Sequence, residues 1–531
     1  MISAINMPNM RDEREIIDGL LQDAEDALNR GALGKASSLY QGILRIEPDH
    51  VGALRQMAAM EINRGDPAVA LEFFERARQL KTDDADLCHG IATALRLMGR
   101  DSDSNVALIA ALRIDPNHGP TLYDQARRQQ QEGNHKAAGD TFFKLAKLGG
   151  GSYDVFFNRG VSMYRVHNLI AAERWFHAAA QVDPKAHRPL VNLAMIYRVW
   201  GFIPQALGCL ERAVALAPES ADAHWNLAHA LLVSGELTRG FAEYEWRFRR
   251  ENRGERHINL PRWSGEPLDG KTILLTLEQG MGDAIQFVRF AAVVAARGGR
   301  VVVECHPGLN SLLATAPGVS AVIKAGVDVP EASCYLPIMS LPHVLGTTWD
   351  NLPAQVPYLS VPPGTAVPTV EGDGLRVGMV WRGNAKHEND HWRSLHLSVL
   401  GALIAVRGVS FFGLQLGEGR LDCDKAPWTG RITDLSSHLK NFAATAAMVA
   451  EMDLIISVDT AVAHLAGALG KPVWVLIPQG NDWRWLHERD DSPWYPTLRL
   501  FRQGRKRQWT PAIRDMVGAL QKLAAAHGAK E

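Results

Sequence analysis

Three short stretches hold residue types able to carry group-transfer chemistry. The first, E-Q-G-M-G-D-A-I-Q (278–286), places Asp283 after a G-x-G turn. A carboxylate there either caps the helix that follows or takes a proton from a hydroxyl. The second, W-R-G-N (381–384), runs into K-H-E-N-D-H-W-R-S-L (386–395) and gathers Arg382, Lys386 and Arg393 around Gly383 and Asn384. Cations that follow a strand suit a pyrophosphate, which arginine binds through two parallel hydrogen bonds; a solvated loop is the plainer reading. The third is S-V-D-T-A-V-A-H-L-A-G-A-L-G (457–470). A helix opening at Thr460 and Ala461 turns free N–H groups outward, a natural cradle for a diphosphate. Asp459 sits at that turn. His464, one turn inside, either packs against a neighbour or donates to phosphate or ribose. His387, Glu388, Asp390 and His391 match no helical ligand pair, so no metal is expected.

Each stretch follows a short apolar run, and the runs define the elements that must hold it. Residues 271–277, 300–304, 319–324 and 334–337 read as strands, with a helix over about 283–297. After the Pro/Gly-rich 361–374 the rhythm restarts with strands at 375–381, 409–415, 453–458 and 472–477. Alternating strands and helices predict parallel sheets covered on both faces, with ligands at the carboxyl ends of the strands. Two Rossmann-like halves result, 271–373 and 374–531, the second closed by a terminal helix.

The first half of the chain is organised differently. Glycine recurs at Gly31, Gly65, Gly99, Gly133, Gly201 and Gly235, at intervals of 34 residues or twice that, with His167 in the missed slot. Small residues recur at Ala24, Ala58, Ala92, Ala126, Gly160, Ala194 and Ala228, and prolines at Pro48, Pro116, Pro184 and Pro218. Small residues let paired helices approach, glycine ends one helix in a left-handed conformation, and proline separates units. Units of this kind stack into a superhelix with a concave face. Seven span 1–252, and the polar 253–270 is a connector. One register reads Gln22, Gln56, Gly90, Asp124, Asn158, Asn192 and Asn226. Its three asparagines either help packing or grip a peptide backbone, since an amide both donates and accepts.

Composition narrows the class. The 531 residues are 46% hydrophobic and 22% charged with a formal net charge of −1, which gives no broad basic field for nucleic acid. The cluster from Arg502 to Arg507 reads as a surface turn. No run of eighteen apolar residues predicts a membrane span, and the N-terminal stretch lacks the apolar core of a secretory signal. Five scattered cysteines form no C-x-x-C pair, and cytoplasm is the expected compartment.

The repeats, the E-Q-G-x-G-D turn, the W-x-G-N loop and the V-D-T-A-x-A-H-L-A-G-A-L-G-K-P block, with D-W-R-W (482–485) and S-P-W-Y-P (492–496), resemble bacterial tetratricopeptide-repeat glycosyltransferases. The catalytic part is similar to heptosyltransferases and, more distantly, to O-GlcNAc transferase. The resemblance implies a GT-B fold, a metal-independent reaction without a cofactor and a nucleotide-sugar donor. It implies Asp283 as catalytic residue in the acceptor-side half, and Asp459, Thr460, Ala461 and His464 as the donor diphosphate site. Arg382, Gly383, Asn384, Arg393 and Gln415 join that donor side, although Arg393 departs from the family's lysine in residue and spacing. Gln279, Gly282 and Trp483 line the cleft, with an aromatic packing plug as the other reading of Trp483. Relatives with this domain pairing often glycosylate flagellin, some from a CMP-activated nonulosonic acid of the pseudaminic type. The implied reaction is therefore sugar transfer to a serine or threonine of a protein, flagellin first. A UDP-GlcNAc or hexose donor, a glycan-directed transferase and a non-enzymatic repeat scaffold are the other readings.

Overall fold

The computed structural model describes residues 10–149, 151–250, 257–278, 280–327, 329, 331–385, 390–425, 427–504 and 507–529. The chain divides into two compact units, Met1–Lys185 and Ala186–Glu531. The first consists of five antiparallel helical pairs, from Met10–Asn29 with Leu33–Ile46 to Tyr153–Arg165 with Leu169–Val182. Every periodic glycine takes a positive φ, between 71° and 93°, and His167 in the missed slot adopts the same left-handed turn at 60°. The small register is equally physical: a Cβ at Gly160 would stand 2.7 Å from the Phe176 ring. Gly90, in the register that carries the asparagines, is held to the same limit, since a Cβ there would stand 2.4 Å from Phe74.

The second unit begins with two more pairs, Arg188–Trp200 with Ile203–Leu216 and Ala221–Ser234 with Leu237–Tyr244. Two wholly parallel sheets follow. Strands β1 (Thr272–Thr276), β2 (Arg300–Cys305), β3 (Val319–Lys324) and β4 (Ala332–Pro337) run in the order β3-β2-β1-β4. Strands β5 (Leu375–Val380), β6 (Val409–Gly413), β7 (Ile432–Asp434), β8 (Leu454–Val458), β9 (Val473–Ile477) and β10 (Leu498–Arg502) run β10-β9-β8-β5-β6-β7. Eight of these ten strands match the expected ones; β7 and β10 were not expected. The helix expected over 283–297 breaks into Met281–Phe287, a 3-10 turn at Val288–Phe290 and Ala291–Ala295.

One apolar core runs through the last helical pairs, the first sheet and one face of the second: Leu232, Phe241 and Tyr244 share it with Ile273, Phe287, Trp483 and Val475. That is why the compact division falls before the last repeats rather than where the 34-residue period stops. A second core lies under the terminal helix Thr510–Gly528, with Met379, Leu403 and Met516. Among the described residues no helix is long and apolar enough to cross a membrane.

A buried arginine ties the last repeat to the sheets that follow. Arg247 donates to both oxygens of Glu278 (2.8 and 2.9 Å), to Glu245 (2.6 Å) and to Ser340 Oγ (2.7 Å). Removing one member of such a group leaves uncompensated buried charge. Arg247→Met should therefore destabilise this unit by about 3–5 kcal/mol. Urea unfolding followed by tryptophan fluorescence checks this, and an unmoved midpoint would refute the network's importance.

Candidate functional site

The turn after β1 delivers Asp283 as the third residue of helix Met281–Phe287. Its Oδ2 accepts the Gly280 N–H at 2.8 Å, so the carboxylate does cap its own helix. Gly280 has φ −72°, and Gly282 is likewise outside the left-handed region, so neither is required for a left-handed turn. Gly282 serves close approach instead. A Cβ there would lie 3.1 Å from His464 Cδ2 and 3.6 Å from Ala461 Cα. The start of the Asp283 helix and the start of helix Ala461–Ala468 therefore abut, bringing the carboxyl-end turns of β1 and β8 together. Gln279 lies outside the described residues.

Arg484, from D-W-R-W, spans this junction. Its Nη2 donates to Asp283 Oδ1 (2.5 Å), its Nε to Gln286 Oε1 (2.7 Å) and its Nη1 to Asp482 Oδ1 (2.8 Å). Burial opposes the charge of Asp482, but the Arg484 guanidinium overrides it and holds that carboxyl down at about 2. Asp459 moves the other way. Burial, then the nearby charge of Asp482, pushes it up to about 6 against the pull of Arg393. Burial and the neighbouring arginines push His464 down to about 3, so its imidazole is neutral. His464 Nδ1 meets the Tyr495 hydroxyl at 2.9 Å and its ring stacks on Trp485. Only its Cδ2–Nε2 edge faces Gly282.

The W-R-G-N loop reaches the same turn. Arg393 Nη1 donates to the Asp459 carbonyl at 3.0 Å. Gly383 is needed beside it, because a Cβ there would overlap Asp390 Oδ1 and Arg393 Nε at 2.5 and 2.8 Å. Gln415 is a clip rather than a cleft-lining residue: its Oε1 accepts the N–H groups of Trp381 and Arg382. Its Nε2 donates to the carbonyls of Arg382 and Leu416. Arg382 pairs with buried Asp422 at 2.9 Å. Ser457 Oγ lies 3.0 Å from Thr460 Oγ1 at the head of the third motif. Asn384 follows Gly383 in this loop, while Lys386, His387 and Glu388 lie outside the described residues. Among those described, no group of three or more His, Cys, Asp or Glu is arranged to hold a metal.

Trp483 and Arg502 also depart from expectation. Trp483 does not line a cleft: it is fully buried against Phe241, Phe287 and Trp494, and the member of D-W-R-W that meets Asp283 is its neighbour Arg484. A charged side chain between two tryptophans was the available signal. Arg502 is no part of a surface turn either, since it donates to the Trp485 carbonyl and to Asn481 Oδ1.

Each asparagine of the repeat register ties one amide hydrogen to its own helix. Asn158, Asn192 and Asn226 donate to the carbonyls of Asp154, Arg188 and Asp222 at 2.8, 2.9 and 2.8 Å. The Asn158 oxygen is taken by Arg127, whereas Oδ1 of Asn192 and of Asn226 has no partner among the described residues.

The raised Asp459 carboxyl sets a pH dependence. Its folded value of about 6 lies above the ordinary carboxylate value, so its contribution to stability is full at low pH and is lost as pH rises through 6. The stability advantage of Asp459→Asn over the natural protein should grow across that interval and level off above it. Urea midpoints at stepped pH measure this; a flat difference would contradict it.

Comparison with known proteins fits this arrangement. Residues 424–480 match the family described as Glycosyltransferase family 9 (heptosyltransferase). Protein FlbA of Caulobacter vibrioides is 26% identical over 530 residues, covering 92% of this chain and 82% of FlbA. Human protein O-mannosyl-transferase TMTC3 is 24% identical over 195 residues, 36% of this chain and 21% of that protein. Among solved structures, Pseudomonas aeruginosa PilF is 18% identical with a TM-score of 0.37, covering 40% of this chain and 96% of its own. YrrB, described as a TPR protein with an unusual peptide-binding site, is 17% identical with a TM-score of 0.30, covering 33% and 89%. The chain thus resembles a tetratricopeptide-repeat glycosyltransferase, with its likeness to the heptosyltransferases lying in residues 424–480 and its likeness to FlbA running over nearly the whole chain.

Proposed function

We propose that this chain moves a sugar from a nucleotide-sugar donor to a serine or threonine hydroxyl of a protein, in a GT-B cleft and without a metal. Flagellin is the leading acceptor and a CMP-activated nonulosonic acid the leading donor. The observation that carries the reading is the abutment of Gly282 against Ala461 and His464, which sets the Asp283 carboxylate beside the Asp459–Thr460 turn. Asp283 accepts the hydroxyl proton as the acceptor oxygen bonds to the anomeric carbon and the bond to the phosphate oxygen breaks. The nucleotide leaves with that electron pair. The N–H groups opening helix Ala461–Ala468 and the nearby Arg393 steady its growing negative charge. Neutral His464 contributes shape and a single ring edge rather than charge.

A protein acceptor is favoured by the amides of Asn192 and Asn226, whose oxygens point to a ligand able to donate N–H groups, as a peptide backbone does. The Asn226 helix shares a core with the sheets that follow, and the Asn192 helix is tied to them where Gln479 Nε2 donates to the Trp200 carbonyl. TMTC3, by its name a protein O-mannosyl-transferase, is in keeping with such an acceptor. The absence of a membrane-crossing helix among the described residues is compatible with work in the cytoplasm.

Asp283→Asn should lower transfer by roughly 10²–10⁴-fold while donor binding persists. Intact-mass analysis of flagellin incubated with CMP-pseudaminic acid or UDP-GlcNAc reads the first, and thermal shift with each donor reads the second. Near-normal turnover would exclude Asp283 as the base, and mass gain from UDP-GlcNAc alone would move the donor to the hexose class. Asn192→Ala with Asn226→Ala should weaken flagellin binding, measured by calorimetry, and leave donor binding unchanged. Unaltered flagellin affinity would remove the repeats from acceptor recognition.

A further inference from the structure

Helix Met281–Phe287 presents Asp283 and Gln286, three residues apart and so on one face, to a single guanidinium. Arg484 comes from the second sheet's side of the molecule, in the turn between β9 and β10. All three of its nitrogens are engaged, by Asp283, Gln286 and Asp482, and its flat face lies over Trp483, 4.4 Å from the ring centre. The group is buried, so these bonds form where water offers no replacement. A planar fork meets three partners in fixed directions, which an ammonium on a flexible stem does not reproduce.

The Asp283 carboxylate is thereby held at both oxygens, Oδ2 by the Gly280 N–H and Oδ1 by Arg484. The backbone bond alone belongs to the Asp283 helix. The Arg484 bond is the one that ties the carboxylate to the opposite wall, and Asp482 in turn anchors the arginine through both its side chain and the Arg484 backbone N–H.

We infer that Arg484 is the positioning residue of the reaction, reaching across from the donor side to aim the Asp283 carboxylate at the acceptor hydroxyl. This rests on the reading of Asp283 as the proton acceptor. Arg484 acts through Asp283 rather than on the donor, so its loss costs turnover and spares donor affinity. It also makes the two walls report on each other: the base is correctly aimed only while the D-W-R-W turn is seated against the Asp283 helix.

The full chain tests this in two arms. In the free protein, Asp283→Asn should lower the thermal midpoint in the natural background but not in an Arg484→Gln background, because the pair is already broken there. Equal shifts in both backgrounds would overturn the inference. The kinetic arm follows flagellin modification by intact mass with CMP-pseudaminic acid or UDP-GlcNAc, whichever is turned over. Arg484→Gln and Arg484→Lys should each lower kcat by roughly 10²-fold, since a displaced reacting group forfeits orientation even where charge is kept. Donor KM should stay within about twofold. Gln286→Leu, which removes one support and no charge, should cost less. Unchanged kcat in Arg484→Lys, or a raised donor KM with normal kcat, would overturn the assignment, the latter making Arg484 a donor-binding residue. Asp283→Asn separates the two ideas. If it transfers normally the base reading fails; if it is inactive while Arg484→Gln is normal, only the positioning role fails. Where neither donor is turned over, the thermal arm decides.

Discussion

A guanidinium taken out of water has to find partners for its charge and its N–H groups inside the protein, and the second unit is organised around three that do. Arg247 gathers Glu245, Glu278 and Ser340, joining the end of the repeats to the loop that leads into the Asp283 turn. Arg289 donates to the Trp494 carbonyl and the Tyr358 hydroxyl, joining the first sheet's helix to the S-P-W-Y-P segment. Arg484 joins D-W-R-W to Asp283 and Gln286. Each connects segments far apart in sequence. Apolar burial supplies most of the stability, yet it is non-directional. The arginines supply the direction, because each guanidinium is satisfied in only one arrangement of its neighbours.

That division of labour explains which parts of the molecule were legible beforehand. The repeats were readable because their constraints are local and recur: a left-handed turn every 34 residues selects glycine, and His167 took the same turn where glycine was missing. Eight strands were readable from apolar runs bounded by turn residues. Strand β7 has only three residues, and β10, L-R-L-F-R, carries two arginines, so neither produces a strong apolar signal. The helix expected to continue to Arg297 instead tightens at Val288–Phe290, a change that local propensity does not announce.

The candidate site was legible in residue type and position but not in partnership. Asp283 and Asp459 follow strands β1 and β8, His464 lies one turn inside the helix after Asp459, and the two helix starts abut at Gly282. What each side chain holds was not visible. Gln415 was a plausible ligand contact until its amide proved committed to the backbone of residues 381, 382 and 416. Gly282 was assigned to a turn, whereas its lack of a side chain matters to His464, 182 positions further along the chain. Trp483 drew attention as the conspicuous aromatic, while the cation beside it meets the Asp283 carboxylate. Close approaches and ion pairs between distant segments depend on the tertiary arrangement, and a single sequence carries no direct record of them.

The shared core has a consequence for how an acceptor would meet the site. A repeat array attached through a flexible connector would raise the local concentration of a bound protein without choosing which hydroxyl reaches the base. Helix Ala221–Ser234, which carries Asn226, instead packs its Leu232 into the same core as Phe287 and Trp483, and Tyr244 of the following helix lies against the Trp483 ring. A close-packed interior resists sliding by even one methylene group. The distance from Asn226 to Asp283 is therefore set by packing rather than by a tether, so under the proposed function a peptide held in one register on that helix would present a defined residue to Asp283. Selection among hydroxyls then becomes a property of where the chain is gripped, and a catalytic turn with little sequence preference of its own is sufficient.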